Sequence, residues 1–273
     1  MMSVESLSRS QIRSLQLLRK RPERYEQGRF LAEGRRAVEQ ILEHRAIHVE
    51  ALVMTQEYMD STNVDLGTKL PDDIPCYSVN ASVFDRLTDT ETAQGVLAVC
   101  RIPDPIPEKK LLGHRGVLLG VDRIQDPGNL GTIVRTAAWF GLAGLVVSAG
   151  TVDLFHPKVV RSTAGATGAL PWLTSELSAF LDTAGKQGWK IHLMDSGPGS
   201  KSYLATEPTG KDILVVGNEA GGISRELHDA GYPSLRIDPV PEAGKVAVES
   251  LNASVASAIM MAHFCSRTDE KDS

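Results

Sequence analysis

The sequence predicts an α/β protein of two domains, a compact α/β sandwich followed by a larger domain with a mainly parallel sheet. Three observations predict it. The chain has 273 residues, long for one small domain and ordinary for two. Arg101-Ile-Pro-Asp-Pro-Ile-Pro-Glu-Lys-Lys110 sets three prolines within five residues, which interrupts helix and sheet ladder alike and marks a boundary. Beyond it, short continuous apolar runs alternate with helical patterns, as in strands covered on both faces. The expected organisation is 1–104, a linker at 105–113, and 114–273.

Before the boundary, Ile12, Leu15, Leu17 and Leu18 recur at helical spacing from Ser8 to Arg19. Phe30-Leu-Ala reads as a short strand, and Arg35 to Glu43 as a helix through Ala37, Val38, Ile41 and Leu42. Val49 to Met54 and Ile74 to Val79 are apolar strands, Ala81 to Leu87 a helix, and Gly95 to Cys100 a strand. After it, Gly116 to Val121 reads as a buried strand, followed by a polar loop and a helix from about Leu130 to Phe140, stopped by Gly141. Leu145 to Val147, Ile191 to Met194, Ile213 to Val216 and Leu235 to Ile237 are further strands. Helices are expected at Pro157 to Thr167 and Ser175 to Gln187. The last eight residues, Ser266 to Ser273, are polar and expected to fray.

Composition narrows the function classes. Hydrophobic residues make up 42% and charged residues 23%, average for a soluble globular protein. No apolar run reaches the roughly 18–20 residues of a membrane span, and Met1 to Ser10 lacks a secretory core. Cys76, Cys100 and Cys265 are far apart with no CxxC pair, which points away from a disulfide framework or a metal site and toward a reducing cytoplasm. The net charge of −5 conceals an uneven distribution. Arg9, Arg13, Arg19, Lys20, Arg21, Arg24, Arg29, Arg35 and Arg36 face only Glu23, Glu26 and Glu33, nine against three, so the segment carries +6. A solvated helix face and a phosphate-binding patch both fit it.

In a mainly parallel sheet, ligands bind beyond the carboxyl ends of the strands, so the loops just after strands carry the functional signal. The first, Asp122 to Arg135, opens a helix through Pro127-Gly128, with Asn129 placed to cap it. Arg135 stands among Ile133, Val134, Ala137 and Ala138. Burial there without a partner would be expensive, and an anionic ligand would supply one. The second loop, Gly217-Asn-Glu219-Ala-Gly221-Gly222, sets one carboxylate in a glycine cluster where backbone can approach a ligand. It matches neither a P-loop nor GxGxxG. In the third, Gly244 to Asn252, Ser250 or Asn252 caps a final helix whose faces are nearly all apolar, as in a core or an interface.

Taken in this order, Asn129 with Arg135, then Gly217-Asn-Glu219, then Glu249-Ser-Leu-Asn252 resemble the three signature motifs of the SpoU/TrmH family of RNA methyltransferases. Asp153 to Gly165 is similar to the family's segment between motifs. Gly28-Arg-Phe-Leu-Ala-Glu-Gly34 resembles the L30e-like substrate-binding domain found at the N-terminus of many members. The third motif departs from the family pattern: Ile237 to Glu249 is longer than usual, and Ile237 and Val240 both fit the position of one cofactor contact.

The resemblance implies a SPOUT fold with a deep trefoil knot, a homodimer through the catalytic domain, and S-adenosyl-L-methionine as cofactor. It implies cofactor contacts at Gly217, Ile237 or Val240, and Leu251. Arg135 matches the family's catalytic arginine, and Asn129, Glu219, Ser250 and Asn252 match positions that support it or line the reactive pocket. Arg19, Lys20, Arg21 and Arg35 are the expected RNA contacts. No metal is implied. The expected reaction is methylation of a ribose 2′-hydroxyl, in ribosomal rather than transfer RNA. A transfer-RNA 2′-O-methyltransferase, a base-methylating relative and a non-catalytic RNA-binding ribosome-assembly factor are the alternatives.

Overall fold

The computed structural model describes residues 4–61, 74–90, 92–239, 248 and 250–265. Along the chain the elements are β1 (Val4–Ser6), α1 (Arg9–Leu17), α2 (Arg21–Gln27), β2 (Arg29–Glu33), α3 (Arg35–His44), β3 (Val49–Thr55) and α4 (Gln56–Ser61). They continue with β4 (Cys76–Val79), α5 (Ala81–Leu87), β5 (Val96–Arg101), α6 (Glu108–Leu112), β6 (Gly116–Val121), α7 (Pro127–Trp139) and β7 (Gly144–Val147). The remainder are α8 (Pro157–Ser162), β8 (Trp172–Thr174), α9 (Leu177–Lys186), β9 (Lys190–Met194), β10 (Lys201–Ser202), β11 (Lys211–Val216), α10 (Arg225–Asp229), β12 (Ser234–Arg236) and α11 (Ala253–Cys265). They form two compact units, Met1–Asp104 with Asp153–Ala169, and Pro105–Val152 with Leu170–Ser273.

The first unit carries a five-stranded mixed sheet in the order β1-β4-β3-β5-β2. β5 runs antiparallel to both β3 and β2, and the other pairings are parallel. α1 starts where Ser8 and Gln11 cap each other: the Gln11 N–H donates to the Ser8 hydroxyl, and the Ser8 N–H to the Gln11 side chain. Leu15 and Leu18 then pack with Leu31, Val53, Phe84, Leu97 and Val99 in one core. The sequence expectation omitted α2, whose residues are mostly polar and include Pro22. Proline is tolerated in a helix's first turn, and here it stands at that place.

Asp153–Ala169 lies far along the chain yet belongs to this unit. Phe30 and Phe155 rings meet at 5.1 Å, and a buried ion pair joins Arg24 to Asp153 at 2.5 Å. α8 stops at Ser162, short of the expected Thr167. The reason is local: Ala164 at φ 51° and Gly165 at φ 99° leave helical space. A Cβ on Gly165 would lie 2.5 Å from Cβ of Gln40.

The second unit is built on a seven-stranded sheet in the order β10-β12-β9-β11-β6-β7-β8, with every pairing parallel. Leu118, Val146, Leu177, Phe180, Leu181, Leu193, Ile213 and Val215 are buried together in its core. α6 forms within the stretch expected as linker. α7 corrects the expected cap. Asp126, not Asn129, caps it, accepting from the Asn129 N–H at 2.7 Å, and Pro127 occupies the first turn. Asn129 is a first-turn residue whose side chain is left for other partners. At the other end Leu142 N–H reaches Ala137 O and Gly141 N–H reaches Ala138 O, with Gly141 at φ 64°, the expected glycine stop. The strands' carboxyl ends therefore present the loops after β6 and β11 along one edge.

Candidate active site

The loops after β6 and β11 and the loop entering α11 meet in one directional hydrogen-bond chain. Asn252 Nδ2 donates to Asn129 Oδ1 at 2.9 Å, and Asn129 Nδ2 donates to Glu219 Oε1 at 3.0 Å. An ionised carboxylate can only accept, so Glu219 fixes which way the Asn129 amide faces. That choice leaves Asn129 Oδ1 toward Asn252, and Asn252 must then present its amino group. Its own Oδ1 turns to the start of α11 and accepts from the Ser254 N–H at 2.9 Å and the Ser254 hydroxyl at 2.6 Å. Of the two expected caps for this helix, Asn252 is the one in place. Ser250 is exposed and makes no hydrogen bond among the described residues.

Glu219 also accepts from the Gln125 and Asp126 N–H groups, each at 3.3 Å. These lie just ahead of α7, where the helix dipole favours a negative charge. Burial alone would raise the Glu219 carboxyl. The Asn129 amide and the backbone N–H groups outweigh it and hold the carboxyl below the usual carboxylate range.

Arg135 departs from the expectation of a buried cation. It lies on the exposed side of α7, while Ile133, Val134 and Ala137 turn inward. Among the described residues it has no hydrogen bond or ion pair. The helix phase explains it: apolar sequence neighbours sit on other faces, so an arginine among them need not be buried. Its guanidinium is open to an external anion.

Gly217 is buried at the end of β11, Ile237 is half-buried just after β12, and Leu251 is exposed beside Asn252. Val240 lies outside the described residues. In the first unit, Arg19 pairs with Asp89 at 2.8 Å and Arg35 with Glu39 at 2.6 Å. Lys20 is exposed without a partner among the described residues, and Arg21 lies over the Tyr25 ring, 5.7 Å from its centroid. Arg24, from the same basic run, is buried in an ion pair and drops out of any surface patch. Sequence reasoning missed Asp126 as the cap, although Asp-Pro at a helix start is a readable signal. It also passed over Asp122, which is 3% exposed and accepts from the Ser224 N–H at 2.7 Å.

Residues 116–262 match the model of the SpoU rRNA methylase family. The chain belongs to that family. It is thereby an S-adenosylmethionine-dependent RNA methyltransferase. Residues 9–98 match the MRM3-like substrate-binding domain. The chain is 34% identical over 267 residues to the 23S rRNA (guanosine(2553)-2′-O)-methyltransferase RlmP of Bacillus subtilis, covering 97% of this chain and 99% of that protein. It is 34% identical to the mitochondrial rRNA methyltransferase 3 of Mus musculus, over 90% of this chain and 69% of the mouse protein. Among solved structures, a TrmH-family protein from Porphyromonas gingivalis superposes with a TM-score of 0.77 at 30% identity, covering 96% of this chain and 99% of that one. An AdoMet-bound rRNA methyltransferase from Sinorhizobium meliloti has the same TM-score of 0.77 at 25% identity, covering 96% of each chain. Among the described residues no helix is long and apolar enough to cross a membrane, and no cluster of three or more His, Cys, Asp or Glu could hold a metal ion.

Proposed function

We propose that this protein methylates a ribose 2′-hydroxyl of ribosomal RNA. The observation that carries the reading is the Asn252–Asn129–Glu219 chain, which draws the three loops into one preorganised wall. Preorganised polar groups of this kind hold a reacting oxygen in place without reorganising during the step.

The residues present fit S-adenosylmethionine. A glycine-rich turn lets backbone approach a ligand, and the partly exposed aliphatic side chains of Ile237 and Leu251 offer cover for an adenine ring. When bound, the cofactor supplies an activated methyl on a sulfonium centre. Gly217, Ile237 and Leu251 would hold it. Asn129, Glu219, Ser250 and Asn252 would line the pocket for the ribose. Arg135 stays protonated, so its role is to anchor an RNA phosphate and present the 2′-oxygen.

The first unit would bring the RNA. Lys20, Arg21, Arg19 and Arg35 would supply its basic RNA contacts. A second copy of the chain would cover the catalytic unit. Trp139 on α7 is 84% exposed and Val255 on α11 is 48% exposed, and the two helices pack against each other. Exposed apolar side chains on two helices that pack together suit a homodimer. Free Cys76, Cys100 and Cys265 suit a reducing, cytoplasmic setting.

The test is transfer of label from methyl-tritiated S-adenosylmethionine to purified ribosomal RNA. Label retained in ribosomal RNA supports the reading. Label found only in transfer RNA, or none, rejects it.

A further inference from the structure

The turn after β11 is closed on itself and hooked to the loop ahead of α7, and one side chain does both. Asn218 Oδ1 accepts from the Ala220 and Gly221 N–H groups at 3.0 and 2.9 Å. Its backbone exchanges two 2.9 Å hydrogen bonds with Gly222. The turn is so tight that a Cβ on Gly217 would lie 2.4 Å from the backbone of Gly222 and Ile223. For the turn alone, the Asn218 amino group is surplus. It donates instead to the carbonyl of Arg123 at 2.8 Å.

Arg123 is itself unusual. It is not glycine, yet it sits at φ 57°, a sparsely populated conformation that persists only where neighbours impose it. Here they do so from both sides: its N–H donates to the Ser148 hydroxyl at 2.9 Å, and its carbonyl accepts from Asn218. The chain then runs directly to Gln125 and Asp126, whose N–H groups reach Glu219. Glu219 is the residue after Asn218. The hook and the carboxylate therefore share the same two loops, one residue apart on one side and two or three apart on the other.

We propose that Asn218 is a positioning residue for methyl transfer. By holding the Arg123 carbonyl it sets the register of the two loops, and so places Glu219 against Asn129 and Asn252. The role rests on the function proposed above. It acts through Glu219 and requires no contact with RNA or cofactor.

Asn218→Asp separates the hook from the turn. Aspartate keeps an acceptor for the Ala220 and Gly221 N–H groups but has no donor for Arg123, and it sets a carboxylate oxygen against a carbonyl oxygen. In the full-length enzyme, kcat should fall roughly 10–100-fold, as for a small misplacement of reacting groups. The RNA KM should stay within about threefold, because binding contacts are untouched. The acid limb of the kcat profile should move to higher pH, since Glu219 loses backbone donors and gains a charged neighbour. Amide exchange at Gln125 and Asp126, read without RNA, should quicken. Asn218→Ala should show the same kcat loss with a looser turn. A variant with wild-type kcat, acid limb and exchange overturns the proposal, and so does a kcat loss that only tracks the unfolded fraction. An inactive wild-type enzyme overturns the functional reading instead; an active one with an unaffected variant overturns only the role of Asn218.

Discussion

The buried pair Arg24–Asp153 gives a large stability effect. The two side chains are 2% and 4% exposed. Arg24 donates to Asp153 Oδ2 through Nε at 3.0 Å and Nη2 at 2.5 Å, and through Nη1 to the Leu18 and Arg19 carbonyls at 2.9 and 3.0 Å. Tyr25 donates its hydroxyl to Asp153 Oδ1 at 2.7 Å. Burial, and then its bond to Asp153, push the Tyr25 phenol well above its ordinary range, so it remains a donor. Asp153→Ala strands a buried guanidinium and the Tyr25 hydroxyl together. Breaking one half of a buried pair costs about 3–5 kcal/mol, a large share of the roughly 5–15 kcal/mol that holds a domain folded. With a urea slope of about 2 kcal/mol/M, the midpoint should fall by roughly 1.5–2.5 M. All three tryptophans, Trp139, Trp172 and Trp189, lie in the other unit. The transition should therefore be followed by far-UV circular dichroism, with amide exchange over β2 and α8. Arg24→Met with Asp153→Leu should recover most of the loss, because replacing both charges by apolar groups is near neutral. A single-variant shift under about 0.5 M, corresponding to about 1 kcal/mol at that slope, or strict additivity in the double variant, would refute the reasoning.

Arg135→Ala should leave S-adenosylmethionine affinity by calorimetry unchanged and cut kcat by at least ~10²-fold; Arg135→Lys should not rescue it, since lysine lacks the planar fork. Normal turnover in Arg135→Ala removes the arginine from the mechanism. The Glu219 carboxyl is held low, so the ordering it provides is complete above the ordinary carboxylate pKa and lost as pH falls through its own, lower value. Activity should drop on that acid side, and Glu219→Gln, which faces the Gln125 and Asp126 donors with an amino group or turns one to Asn129, should be impaired at every pH. A Glu219→Gln enzyme with wild-type kcat would show that the carboxylate orders nothing. The proposed homodimer should sediment as a dimer in analytical ultracentrifugation and Trp139→Glu as a monomer; equal sedimentation coefficients for the two would remove Trp139 from any interface.

Much of this was legible in the sequence because the relevant forces are local. Continuous apolar runs marked β6 and β11, with the glycine-rich turn placed directly after β11. The resemblance of the three loops to the family's motifs singles out Asn129, Glu219 and Asn252, and these three share one hydrogen-bond chain. What was not legible depended on phase or on distant contacts. Asp126 and Asn129 both suit a cap, and only the helix start decides between them. Arg135 has apolar neighbours in sequence but not on its own face of α7. Arg24 reads as one more member of a basic run. Its burial depends on Asp153, 129 residues away, and no periodicity reports a partner at that distance. For the same reason Asp153–Ala169 read as part of the second domain, whereas its packing places it in the first unit.

The central claim is that the methyl group goes to a ribose oxygen in ribosomal RNA, and the linkage at the modified nucleotide tests it most directly. Ribosomal RNA methylated by the purified enzyme should be hydrolysed in alkali and the labelled product sized. A methylated 2′-oxygen cannot attack its neighbouring phosphate, so the label should emerge in an uncleaved dinucleotide, and Arg135→Ala should yield almost none. Label released wholly in mononucleotides would put the methyl on a base and contradict the account.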